Sequence, residues 1–153
     1  MRQDSRLSVA LHVLLHMTGM DGAVTSETLG DMLKTNPVVF RRTMAGLRDA
    51  GIVRSEKGHG GGWSLARKLG SVTIGDVYDA LGMKTPFSIG YRDARPRCLL
   101  EQAVNQAIDG ALAEAESLLV AKLRSVSVAD VLDDARRRSK KEGSHARRHH
   151  HRG

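Results

Sequence analysis

The chain has 153 residues, 41% hydrophobic and 27% charged, the balance of one globular domain and not of a disordered or fibrous segment. Aromatics make up only 3% and there is one cysteine, which excludes a disulfide framework and a self-sufficient cysteine metal site and points to an aliphatic, helical core. The formal net charge of +7 divides unevenly: residues 1–82 carry +2, residues 83–135 carry −2 and residues 136–153 carry +7. Bulk basicity therefore says nothing about the folded part, and a nucleic-acid argument must rest on where charges stand. No apolar run is long enough to span a bilayer, and Met1 to Arg6 is not a signal peptide, so a reducing cytoplasm is the expected compartment.

Leu7, Ala10, Leu11, Leu14, Leu15 and Met17 recur at helical spacing, predicting a first helix from about Ser5 to Met20 that ends in Met20-Asp21-Gly22. Thr25 is the expected N-cap of a second helix, with Glu27 at its positive end and Leu29, Met32 and Leu33 on its apolar face. Asn36-Pro37 follows after a tight turn. Asn36 suits an N-cap and Pro37 the first helical position, where its missing N–H is not needed. The third helix carries Phe40, Met44 and Leu47 inward and stops at Ala50-Gly51. Residues 52–57 read as a strand, Gly58 to Gly62 as a turn, and Trp63 to Ala66 as a return strand.

Helix, helix, tight turn, helix, hairpin is the order of a winged helix-turn-helix. Such a third helix is dimensioned to enter a major groove, leaving Val38, Arg41, Arg42 and Thr43 on faces away from its apolar stripe. Thr73 opens a further helix with Ile74, Val77 and Leu81 apolar. Pro86, Gly90 and Pro96 mark residues 83–97 as a loop. Cys98 to Leu123 is the longest helical pattern, with Leu100, Val104, Ala107, Ile108, Ala111, Leu112, Ala115, Leu118 and Leu119 in a nearly continuous stripe. Gly110 within it costs about 1 kcal/mol relative to Ala, so close packing is expected there. At 1.5 Å per residue this helix is ~39 Å long, more than so small a domain can cover, so its stripe is expected to form a homodimer interface. Ser127 caps a short helix over Val128 to Ala135. The expected organisation is a mainly α fold with a small β-hairpin wing. It comprises a DNA-binding domain (1–82), a loop (83–97), a dimerisation helix with a short C-terminal helix (98–135) and a disordered basic tail (136–153).

Four stretches resemble the IscR/NsrR/CymR-type bacterial winged-helix transcription regulators. They are Leu7 to His12, Asn36 to Val53, Lys57 to Ala66 with three glycines before Trp63, and Val126 to Val131. The resemblance implies a regulator that dimerises through the long helix and binds inverted repeats in double-stranded DNA, with the recognition helix in the major groove and the wing at the minor groove. Carried over by position, Asn36, Val38, Arg41, Arg42 and Thr43 belong to the recognition face, and Lys57, Gly58, His59, Gly60 and Gly61 to the wing. A repressor is expected, with no catalytic residues: the sequence shows no nucleophile–base–orienter set and no cofactor fingerprint.

The chain departs from the family at the sensor. Iron–sulfur members hold a cluster with three cysteines in the loop before the long helix, whereas here only Cys98 stands, at the position of the last. No cofactor is expected. Cys98, beside Arg95 and Arg97 at a helix start, is a candidate redox-sensing thiol, against the reading of an inert half-buried side chain. His12 and His16 have a spacing able to hold a metal, but no adjacent carboxylate completes a site, so packing or partial exposure is the preferred reading and no metal is expected. Alternative functions are a non-specific nucleic-acid binder acting through the basic tail, and an adaptor for another protein.

Overall fold

The computed structural model describes residues 4–83, 86–87 and 89–149, the last eight as backbone alone. In chain order they form α1 (Arg6–Met17), α2 (Ser26–Leu33), α3 (Pro37–Asp49), β1 (Val53–Glu56), β2 (Gly62–Leu65), a 3-10 turn (Leu69–Ser71), α4 (Ile74–Ala80), α5 (Leu99–Arg124) and α6 (Val128–His149). The fold is mostly helical, a winged helix-turn-helix with a two-stranded antiparallel hairpin. The strands pair Val53 with Leu65 and Glu56 with Gly62.

Local chemistry sets the helix starts. The Thr25 hydroxyl accepts a 3.1 Å hydrogen bond from Thr28 N, and the Asn36 side chain accepts one of 2.8 Å from Val38 N. At α4, Thr73 and Asp76 exchange side-chain and backbone bonds in a capping box. Ser127 and Asp130 do the same at α6.

The core lies beneath α1, whose Ala10, Val13, Leu14 and Met17 are buried at i, i+3, i+4 and i+7. Leu29 of α2, Phe40, Met44 and Leu47 of α3, Ile52, Val53, Val72 and Val77 close over it. Gly46 allows α3 to cross α4 closely, because a Cβ there would run into the Ala80 carbonyl.

Three expectations need correction. Thr43 is buried, only 1% exposed, and does not stand on the outer face of α3. It shares the i, i+3, i+4, i+7 lane of Phe40, Met44 and Leu47, so helical geometry turns it inward. The last helix does not stop near Ala135 before a disordered tail but continues to His149. No proline interrupts it, and Asp133–Arg136, Asp134–Arg137 and Asp134–Arg138 ion pairs brace consecutive turns. The end of the tail, residues 150–153, lies outside the described residues. Gly110 meets nothing within 4 Å inside the chain, so the close packing expected there is not made by this protomer.

The start of α6 also belongs to the first domain and not to the long helix. Val128 is fully buried in the common core, Val128 N donates to Val72 O at 2.8 Å, and Ile74 N donates to Val126 O at 2.9 Å. The two segments flanking α5 are thereby clamped together.

Candidate nucleic-acid interface

Helix α3 divides its residues by face. Phe40, Thr43, Met44 and Leu47 point into the core. Val38, 55% exposed, shares the opposite face with exposed Arg41 and Arg42. An exposed valine between arginines suits apolar contact with a base methyl, while a guanidinium can bond a guanine edge through two N–H groups. Asn36 is exposed at the helix start, but its side-chain oxygen is committed to capping Val38 N.

Charge pairing separates the arginines of α3. Arg48 binds Asp49 at 3.0 Å. Among the described residues, neither Arg41 nor Arg42 has an ion-pair partner. Two cations thus face outward from a well-capped helix without an ion pair among the described residues, Arg41 lining a cleft that Glu27 and Asp31 of α2 also line.

The wing is anchored beside this face. Trp63 N donates to Val24 O and Val24 N to Trp63 O, both at 2.8 Å, an isolated antiparallel bridge that ties Val24 to the edge of the hairpin. Gly62 makes this approach possible, since a Cβ there would run into the Val24 carbonyl. On the hairpin surface Arg54 Nε donates to Ser64 Oγ at 2.9 Å, and Ser64 Oγ donates to Glu56 Oε1 at 2.9 Å. Lys57, Gly58, His59 and Gly60 are exposed at the tip, while Gly61 is half-buried. Gly58 and Gly60 have positive φ, which the tight turn requires. The wing residues read from the sequence therefore fall together, as do Val38, Arg41 and Arg42. Thr43 alone is withdrawn into the core.

Helix α5 buries none of its residues within the protomer. Its apolar stripe splits into two lanes. Ile108, Leu112, Ala115 and Leu119 are half-buried. Leu100, Val104, Ala107, Ala111 and Leu118 are exposed, with Leu100 at 79% and Leu118 at 68%. A lane of exposed aliphatics this long is unusual on a surface that faces water alone.

The loop before α5 lies along that helix. Asn105 donates to Asp93 O at 2.8 Å, Gln102 donates to Pro96 O at 3.0 Å, and the Tyr91 hydroxyl donates to Asp109. Sequence reasoning missed these ties because none follows from local periodicity. Cys98 is the N-cap of α5 and is exposed. It lines a cleft of about 410 Å³ together with Tyr91, Arg92, Leu100 and Val104.

A family model described as Rrf2, iron-dependent transcriptional regulator, matches residues 3–134. The chain is 30% identical over 130 residues to a Bacillus subtilis protein named as the HTH-type transcriptional regulator YwnA, spanning 85% of this chain and 96% of that one. A crystal structure titled as a DNA-binding protein shares 31% identity at a TM-score of 0.68, covering 84% of this chain and 99% of that chain. The structure of IscR from T. potens shares the fold at a TM-score of 0.58 and 18% identity, covering 88% of each chain. The iron of the family description meets no matching donor set here. The chain has a single cysteine, and among the described residues no three of His, Cys, Asp or Glu are grouped. Thiolate-rich ligation is not available to this protomer.

Proposed function

The chain belongs to the Rrf2 family of transcriptional regulators, and from that premise we propose that it is a sequence-specific homodimeric repressor, working in the cytoplasm without an iron–sulfur cluster. Two protomers join through the exposed lane of α5, burying Leu100, Val104, Ala107, Ala111 and Leu118 against their counterparts. The dimer sets two α3 helices into successive major grooves of an inverted repeat, whose half-sites lie about 34–36 Å apart. Arg41 and Arg42 then read guanine edges or phosphates, Val38 contacts a thymine methyl, and the wing from Lys57 to Gly61 follows the minor groove. A dimer seated on a promoter excludes polymerase, so the sign of regulation is negative.

The observation that carries this reading is the unpaired Arg41 and Arg42 on the outer face of a capped helix, beside a wing tied to the same unit. The α6 extension adds a second, sequence-blind contribution. Arg136, Arg137, Arg138, Lys140 and Lys141 lie beyond the residues the family model matches and give the protein additional phosphate contacts.

Selection of bound duplexes from a random pool, with reduced and with oxidised protein, tests the proposal. An enriched inverted repeat supports it, and a change of affinity on oxidation assigns a sensing role to Cys98. Equal retention of all sequences would favour non-specific binding through the basic extension.

A further inference from the structure

Helix α1 turns one side to the core and the other outward. Exposed His12 and half-buried His16 stand one turn apart on the outer side. Their Nε2 atoms are 3.0 Å apart, and their ring centroids are 4.6 Å apart with the planes inclined by 35°. Asp4, which lines a groove together with His12, is engaged by Arg6 through bonds of 2.6 to 3.1 Å.

Two arrangements bring imidazole nitrogens this close. In a head-on N–H···N hydrogen bond both nitrogens lie on the line joining the rings. Each nitrogen is ~1.1 Å from its centroid, so the centroids would be ~5.2 Å apart. In a chelate the rings converge on a common point. With metal–nitrogen bonds of ~2.05 Å, nitrogens at this separation subtend ~94° at the metal and place the centroids ~4.7 Å apart. At 4.6 Å the rings lean together from the head-on line, a convergence that a bent N–H···N bond and a chelate share.

We propose that His12 and His16 form a bidentate site for a divalent transition-metal ion, with Cu(II) and Ni(II) preferred. Imidazole suits these borderline ions, and copper binds tightest among them. The two rings supply no charge, so the ion keeps its full positive charge and its remaining positions take water or an anion. The helix holds the pair ready, since Ala10, Val13, Leu14 and Met17 fix the backbone from beneath. Two ligands one turn apart suffice for a chelate without a neighbouring carboxylate.

The test is titration of the full chain with CuCl2 or NiCl2 after His59, His145, His149, His150 and His151 are replaced by alanine, which removes the competing imidazoles. We expect one equivalent of Cu(II) to bind, with hyperfine structure from two equivalent nitrogens in the paramagnetic resonance spectrum. His12→Ala, on an exposed position, should leave the circular dichroism unchanged, weaken uptake at least tenfold and remove the two-nitrogen pattern. His16→Gln should do the same. Unchanged copper affinity in His12→Ala, or no stoichiometric binding in its parent, would overturn the proposal.

Discussion

The indole Nε1 of Trp63 donates a 2.9 Å hydrogen bond to the Ser26 hydroxyl, joining residues 37 apart in sequence and tying the root of the wing to the first turn of α2. Together with the paired backbone bonds to Val24, it fixes the hairpin against the helix-turn-helix at three points. Trp63→Phe keeps an aromatic ring and removes the donor. We expect a loss of about 0.5–1.5 kcal/mol in urea unfolding and weaker operator binding with base preference retained. Full stability in the variant would show that the bond contributes nothing to the anchoring.

Arg41 and Arg42 are exposed, so their removal should leave unfolding within about 0.5 kcal/mol of the parent. In fluorescence anisotropy, Arg41→Ala or Arg42→Ala should cost about 1–3 kcal/mol of binding and relax preference at one base pair where the contact is to a base edge. A residue that touches only phosphate should weaken all sequences equally. Undiminished binding in both variants would contradict the assignment.

Thr43 offers the converse case. Its hydroxyl is buried and has no hydrogen-bond partner among the described residues. Thr43→Val replaces an unsatisfied polar atom with a methyl of similar size, so thermal stability should hold or rise. Operator affinity should not change. Weaker binding with intact folding would restore Thr43 to the DNA face.

The start of α6 is expected to weaken in acid. The Ser127 hydroxyl and backbone N–H hold the Asp130 carboxyl below its ordinary 3.8, and Arg138 followed by Arg137 does the same for Asp134. A carboxylate with a depressed folded value contributes stability that is present above 3.8 and lost as pH falls through that folded value. Helical circular dichroism should therefore hold from neutrality down to about pH 4 and fall below it. Asp130→Ala should lower helicity at neutral pH and flatten this acid-induced loss.

The cations beyond Ala135 should be visible in the salt dependence of binding. Each phosphate contact contributes about −0.9 to the slope of log affinity against log salt. Replacing Arg136, Arg137, Arg138, Lys140 and Lys141 with glutamine should flatten the slope by one or more units and leave the selected half-site unchanged. An unaltered slope would mean that the extension stays off the duplex.

What the sequence determined by itself is the order of elements and where the helices begin. Thr25, Asn36, Thr73 and Ser127 each bond a backbone N–H two or three residues on, so their signal is complete within one turn. The inward lane of α3 was equally local for Phe40, Met44 and Leu47, while Thr43, polar and expected outside, joins that lane in the folded chain. Arg41, Arg42 and the wing glycines were legible for the same reason, since their faces follow from the helix period and the turn. Tertiary structure decided the rest. Val128 meets Val72 across 56 positions, Trp63 reaches Ser26, and the loop before α5 ties itself to Asn105 and Asp109. Only the folded chain separates the half-buried lane of α5 from the lane left open, because one stripe serves both. The His12–His16 distance also needed coordinates: spacing places two rings on one face, but side-chain rotation decides whether their nitrogens converge.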